Sequence, residues 1–185
     1  MARTTSRPID VTALGRLCEI FASLVAMKVN VRDALESDLG SIAELLLLVH
    51  QMHVKAQPGT YRDISHERAL KFLAPRLTES NAYLRVAEFE SEVQGYCSAA
   101  IRSCPSIPIL QPGEFIYVNE IVVRPGSRRG GVGRALVVDL KEFALEKGVT
   151  QIKLDVGYFN SEARAFFQSQ GFDVVRERMS TRVGT

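Results

Sequence analysis

The sequence lacks the features that mark several protein classes. Its 185 residues contain no run of about 18 apolar residues, so we expect no membrane-spanning helix. The net charge of +2 is too small to indicate nucleic-acid binding, and neither aromatic platforms nor a recognition helix are evident. Internal repeats and low-complexity tracts are also missing. We therefore expect one globular domain that uses neither a membrane nor a nucleic acid.

Cysteine is scarce as well. Cys18, Cys97 and Cys104 have no C-x-x-C spacing, and one of them stays unpaired in any disulfide scheme. This pattern favours a reducing, cytoplasmic location. Cys97 lies in an apolar strand, where cysteine packs as a small hydrophobe. No set of side chains suggests a metal site.

A strand, a basic glycine loop and a helix start follow one another in residues 115–136. Residues 115–123 are rich in β-branched and aromatic side chains, which is typical of a buried strand. From Val132 on, apolar residues recur with helical spacing at Leu136, Leu140 and Phe143. The glycines of the loop let a ligand approach the main chain, and the helix dipole adds partial positive charge. Three arginines add full positive charges, so the loop predicts a pyrophosphate ligand. The glycines and arginines of the loop are Gly130, Gly131, Gly133, Arg128, Arg129 and Arg134.

Two common pyrophosphate sites do not fit this loop. A P-loop needs Lys-Ser/Thr after its last glycine, whereas Arg134-Ala135 follows Gly133. A dinucleotide-binding fingerprint needs a small residue three positions after Gly133, and Leu136 stands there. The pattern that remains is Arg128-x-x-Gly131-x-Gly133.

This pattern resembles the coenzyme A loop of the GCN5-related N-acetyltransferases (GNAT). The family's second signature is similar to Asn160-x-x-Ala163-x-x-Phe166-Phe167-x-x-x-Gly171-Phe172. Its opening strand and helix start are similar to Val29-x-Val31-Arg32-x-Ala34-x-x-x-Asp38. The resemblance covers residues 27–185.

The resemblance implies an α/β (α+β) domain over residues 27–185. Its mixed, mostly antiparallel central sheet is splayed at the fourth and fifth strands and flanked by helices. The residue pattern predicts strands at 28–32, 82–89, 93–102, 115–123 and 151–156, and a final strand or strand pair in 172–183. Helices are expected from Asp38 or Ser41 to Met52, over 65–77, from Val132 to Gly148, and between Asn160 and Gly171.

Residues 1–26 precede the GNAT-like region. Their apolar residues recur with helical spacing, which predicts a short amphipathic helix: Val11, Leu14, Leu17, Phe21 and Leu24. Three interpretations stay open, namely a helix packed on the domain or on a second subunit, a weak transit-like peptide, or an extension upstream of a functional start at Met27. Since GNAT proteins are often dimers, a homodimer is one use of this helix.

The resemblance implies that an acetyl group passes from acetyl-CoA to a primary amine of a small molecule or of a protein or peptide. Because no Cys-His or Ser-His nucleophile is evident, we expect direct transfer in a ternary complex. Main-chain groups of Ile121 and Val123 are expected to contact the coenzyme and to act as the oxyanion site. The other expected coenzyme contacts are Val122, Val132, Asn160, Phe167 and the loop residues named above.

Two carboxylates are candidates for the base that deprotonates the amine. Glu120 lies in the central strand, and Asp155 lies on the next strand, where relatives that modify protein N-termini often have a glutamate. Burial in an apolar strand would raise the pKa of either carboxyl. Strand alternation equally allows either side chain to face away into a salt bridge.

The chain departs from the family pattern at Phe167, where many members have a tyrosine that protonates the departing thiolate. Tyr158 and Tyr117 are the candidate replacements. Water could do the same, or catalysis could proceed without an acid. This departure also favours the alternative function, a non-catalytic acyl-CoA-binding or sensing module.

Acceptor residues are expected around the loop at 56–63, which resembles the acceptor-side lid of the family. Tyr61 and Arg62 are the candidate substrate contacts in it. His53 lies three residues after His50 on the preceding helix and is the third candidate. An ordinary connection between two helices, with histidines at a helix end, is the alternative.

Overall fold

The structure, a computed structural model, describes residues 29–181 and 183. One sheet contains five strands in chain order: β1 (Asn30–Asp33), β2 (Ala82–Phe89), β3 (Glu92–Ser103), β4 (Glu114–Val123) and β5 (Ile152–Leu154). Neighbouring strands are antiparallel except β4 and β5, which are parallel. The expected mixed, mostly antiparallel sheet is confirmed. Within the described ranges, no helix has the length and apolarity needed to cross a bilayer.

In the described residues, four α-helices accompany this sheet: α1 (Leu39–Ala56), α2 (His66–Leu73), α3 (Val132–Glu146) and α4 (Ser161–Ser169). Helices α1 and α2 cover one face, where Leu45 packs in a cluster with Val86 and Tyr96. Helix α3 covers the other face, where Leu140 packs in a cluster with Cys97. Because successive side chains of a strand point to opposite faces, the same strands supply both cores. Cys97 is fully buried, as expected.

Helix α2 is shorter than the predicted 65–77. Ser65 caps its start by accepting a hydrogen bond from the amide of Arg68 (3.3 Å). The α-helix stops at Leu73, and Ala74–Leu77 form a 3₁₀ turn that contains Pro75. Proline cannot donate the helical hydrogen bond, which accounts for the change.

The predicted final strand is wrong for the residues that the structure describes, since 172–181 form no strand. The apolar residues that suggested it have no core to face, because Val175 and Met179 are 90% and 94% exposed. Strand β5 is also shorter than the predicted 151–156. The amphipathic helix predicted for residues 1–26 lies outside the described residues.

Candidate functional site

The sheet opens between β4 and β5. Their parallel pairing runs from Ile116 and Ile152 to Val118 and Leu154, whereas β4 continues to Val123. The amide of Arg124 donates to the carbonyl of Gln94 beside it (2.8 Å). Strand alternation therefore directs the amides of Ile121 and Val123 to the opposite edge, which faces the opening. We call this opening the β4–β5 wedge.

A bulge in β4 lies at the narrow end of this wedge. Ala99 of β3 is opposite Val118, but the next residue, Ser98, is opposite Glu120, so Asn119 is an extra residue. A one-residue shift reverses the faces of the residues that follow it. Val118 accordingly lies in the α3-side core, while Glu120 points to the α1–α2 face.

The basic loop ends in an uncapped helix start. Gly131 has a φ of +87° and is the N-cap residue of α3, without a side-chain hydrogen bond. The amides of the first turn are therefore not occupied by a capping side chain. Arg129 also has a positive φ, +62°, which costs a non-glycine residue about 1–2 kcal/mol. Such strain is common where a loop is shaped for a ligand.

Two arginines of the loop form weak, exposed ion pairs. Arg128 and Arg129 approach the carboxylate of Glu162, in the first turn of α4, at 3.6 and 3.9 Å. Such exposed pairs contribute little to stability, so a phosphate could replace the carboxylate. Arg134 and Gly130 are exposed. The loop thus fits a multiply charged phosphate.

Other predicted coenzyme contacts have structural roles. The side chains of Val122 and Val132 are buried in the two cores, which leaves only their main chains for a ligand. The Oδ1 atom of Asn160 accepts a hydrogen bond from the amide of Ala163 (3.0 Å) and so caps α4. Phe167 packs against Phe166 and Phe172.

The two candidate bases have different surroundings. Glu120 forms an ion pair with Arg76 (2.7 Å), and both side chains are mostly buried. Asp155 is exposed, contrary to the expected burial, and accepts a hydrogen bond from the hydroxyl of Tyr117 (2.8 Å). Burial and then this hydrogen bond raise the pKa of Tyr117 to about 12. Tyr158, the other candidate acid, is 74% exposed.

The three candidate acceptor residues lie together at the end of α1. The His53 ring lies 5.0 Å from that of Tyr61 and 5.3 Å from that of Phe159, which follows β5. The third candidate is Arg62, whose main-chain carbonyl accepts a hydrogen bond from His50 Nε2 (2.7 Å). Burial, and secondly the charge of His50, lower the pKa of His53. The imidazole of His53 is therefore neutral at neutral pH.

Sequence reasoning missed Arg76 and Phe159. Arg76 had the spacing of an ordinary surface residue at the end of a predicted helix, and no local signal marks it. Phe159 precedes the recognised signature by one residue, so its position beside the motif was the available hint. Across the described part of the chain, no group of three or more His, Cys, Asp or Glu side chains could bind a metal ion.

Comparison with known proteins agrees with this geometry. The model of the acetyltransferase (GNAT) family matches residues 46–172. A thialysine N-ε-acetyltransferase of Bos taurus is 31% identical over 147 residues, which are 77% of this chain and 83% of that protein. A mutant of the BH1408 protein from Bacillus halodurans matches with a TM-score of 0.74 at 24% identity. The match covers 83% of this chain and 99% of the BH1408 chain. An aminoglycoside N-acetyltransferase in complex with CoA has a TM-score of 0.65 at 17% identity, over 84% of this chain and 94% of its own.

Proposed function

Because this chain belongs to the acetyltransferase (GNAT) family and is therefore an acetyltransferase enzyme, we propose that it transfers the acetyl group of acetyl-CoA to a primary amine of a small molecule. The β4–β5 wedge carries this proposal. Its wide end meets the uncapped start of α3 and the arginines of the loop. Its narrow end meets the bulge and Glu120. A long ligand with phosphates at one end and a reactive carbonyl at the other matches this layout.

The coenzyme is proposed to bind mainly through the main chain. The amides of the first turn of α3 and the charge of Arg128 bind the pyrophosphate. The outward-facing amides of Ile121 and Val123 line the path to the bulge, where one of them stabilises the oxyanion of the acetyl carbonyl. Asn160 is proposed to contact the pantetheine arm beside its capping role.

The proposed reaction needs one proton acceptor. Glu120, directly or through water, takes a proton from the ammonium of the acceptor. The amine nitrogen then attacks the acetyl carbon, the C–S bond breaks with its electron pair on the sulfur, and the nitrogen loses its second proton to water, which restores the proton given to the thiolate. Water or Tyr117 supplies a proton to the thiolate, which is a tolerable leaving group without help, since a thiol has a pKa of about 8–9. Fully buried Cys97 cannot take part as a nucleophile, which supports direct transfer.

A small-molecule acceptor is supported by two observations. The relatives include enzymes named for thialysine and for aminoglycosides. The His53 and Tyr61 rings form a small aromatic cluster with Phe159, which follows β5, and such a cluster suits a compact amine. A protein or peptide amine is the other outcome of the test below. Cytoplasmic location and a homodimer stay predictions.

The test is thiol release from acetyl-CoA with a panel of acceptors. The panel contains thialysine, lysine, cadaverine, an aminoglycoside and peptides with free N-termini. We expect amine-dependent release with at least one small molecule and a drop of about 100-fold in Glu120→Gln. Glu114→Gln, at the exposed start of the same strand, is the matched control and should keep wild-type activity. Release with peptides alone would reassign the acceptor.

A second candidate function is a non-catalytic acyl-CoA sensor. The observation that favours it is Phe167, which cannot donate a proton and is packed between Phe166 and Phe172. In that case calorimetry would show tight acetyl-CoA binding while no amine supports thiol release. Turnover with any amine excludes it.

A further inference from the structure

The Arg76 side chain links the helical layer to the sheet at Glu120. Its Nη1 atom donates to Glu120 Oε2 and to Ser98 Oγ, both at 2.7 Å. Ser98 and Glu120 are directly opposite each other on β3 and β4. A single nitrogen therefore reaches both members of one cross-strand pair.

The Arg76 guanidinium is itself fixed from the other side. It lies over the ring of Phe72, 4.2 Å from the ring centroid, four residues earlier in the chain. The side chains of Arg76 and Glu120 are only 14% and 16% exposed. A partly buried, hydrogen-bonded pair is weakly screened and has a defined geometry, unlike an exposed pair.

We propose that Arg76 is a positioning residue for acetyl transfer, which fixes the Glu120 carboxylate in one orientation at the bulge. The inference rests on the proposed function of Glu120 as the base. Oε2 of Glu120 is bound to Arg76, whereas Oε1 has no hydrogen-bond partner among the described residues. Oε1 is also absent from the buried atoms that lack a partner, so it is accessible. Oε1 is therefore the oxygen that accepts the proton of the acceptor.

Other groups near Glu120 do not replace Arg76 in this role. Tyr96 and Cys97 of β3 are the remaining titratable side chains that feel the charge of Glu120. Burial first, and Glu120 second, raise the pKa of both side chains well above their usual values. Both stay neutral throughout an ordinary assay range. Asp155 binds Tyr117 instead, and His53 lies with Tyr61 and Phe159.

The decisive experiment is a double-mutant cycle on kcat and kcat/KM at neutral pH, with acetyl-CoA and the best amine of the panel. In Arg76→Met we expect kcat/KM at neutral pH to fall by about 10- to 100-fold. The loss should lie in kcat rather than in KM for acetyl-CoA, because a positioned base acts in the transition state and not in binding of the coenzyme. Arg76→Lys retains the charge and should lie between Arg76→Met and the wild type. Ser98→Ala removes only the second hydrogen bond and should leave kcat close to that of the wild type.

The same substitution made in the Glu120→Gln variant distinguishes positioning of Glu120 from a general effect on the structure. In Glu120→Gln, adding Arg76→Met should lower kcat/KM by no more than about threefold, since the group that Arg76 positions is already lost. This double variant also lacks an unpaired buried carboxylate, so it provides a folded comparison if Arg76→Met alone is unstable. Urea unfolding of each variant checks this point.

Two results would overturn the inference while leaving the proposed function intact. One is that Arg76→Met lowers kcat/KM by the same factor in the wild type and in Glu120→Gln. The other is a wild-type kcat in Arg76→Met, which would show that Glu120 needs no positioning partner to act as the base. If the wild type turned over no amine at all, the proposed function and this inference would both fall.

Discussion

Gly95 of β3 lies against both β4 and the start of α3, the two elements that are proposed to bind the coenzyme. A Cβ atom on this residue would lie 2.7 Å from the carbonyl oxygen of Val122, 3.1 Å from Cγ1 of Val132 and 3.3 Å from Cα of Val123. The first and third of these atoms are main chain, paired in the β3–β4 ladder, so they cannot turn away as a side chain could. Gly95→Ala must therefore push β4 away from β3.

The expected loss can be worked out from these contacts. Overpacking of this kind costs about 1–3 kcal/mol, and the gain from removing a strand glycine, about 0.5–1 kcal/mol, offsets part of it. We expect a net loss of about 1–2 kcal/mol in the free energy of unfolding. For a domain of this size the Tm falls by about 2–8 °C. Because β4 and the start of α3 both shift, affinity for acetyl-CoA should fall as well.

The assay is urea unfolding together with calorimetry of acetyl-CoA binding. Gly40→Ala is the matched control, since a Cβ there meets no atom within 4 Å and alanine favours the helix by up to about 1 kcal/mol. It should unfold at slightly higher urea and bind the coenzyme normally. A Gly95→Ala protein with wild-type stability and affinity would refute the packing argument.

Three further predictions concern the loop, a cap and a histidine. Arg128→Ala should weaken acetyl-CoA binding by about 10- to 100-fold at low salt, as expected for a charge-assisted hydrogen bond. The control Arg68→Ala, on α2, should not weaken it. Equal affinities of the two variants in calorimetry would show that Arg128 does not contact the coenzyme. Asn160→Ala should lower the free energy of unfolding by about 1 kcal/mol and also weaken coenzyme binding, while Ser65→Ala, the other helix cap, should lower stability alone. Burial lowers the pKa of His53 below its ordinary 6.5, so its contribution to stability is complete above pH 6.5 and is lost as the pH falls below it. His53→Gln should therefore flatten the unfolding free energy between pH 5 and 7, and an unchanged slope would contradict the burial of this ring.

The parts of the fold that could be predicted are those whose signals are local. The positive φ of Gly131 and the cap at Asn160 follow from residue chemistry within a few positions. The hairpin of β2 and β3 likewise follows from period-two alternation on both sides of a short polar turn. Each of these required only neighbouring residues.

The surroundings of the candidate base could not be predicted in this way. Glu120 and Arg76 are 44 residues apart, and no spacing rule joins an arginine after a helix to a glutamate in a strand. The bulge at Asn119 determines which face Glu120 occupies, yet an asparagine in a strand is not a sequence signal for a bulge. The sequence therefore left both faces open for this side chain.

The wrong final strand has a different cause. The apolar residues in 172–183 indicate only which side chains could pack if a suitable strand edge lay beside them. Pairing depends on the neighbouring strand, and β5 has three residues. Strand prediction is least secure where the partner is short, because a pattern carries no information about its partner.

Transfer of isotopically labelled acetyl groups tests the central claim most directly. Acetyl-CoA labelled in the acetyl carbonyl would be incubated with the wild-type protein and an excess of a small primary amine, and the products would be identified by mass spectrometry. We predict that the label appears as an amide on the amine nitrogen, in step with free coenzyme A, and that Glu120→Gln slows both equally. Coenzyme A released without labelled amide, or label retained on the protein itself, would contradict direct transfer to an amine.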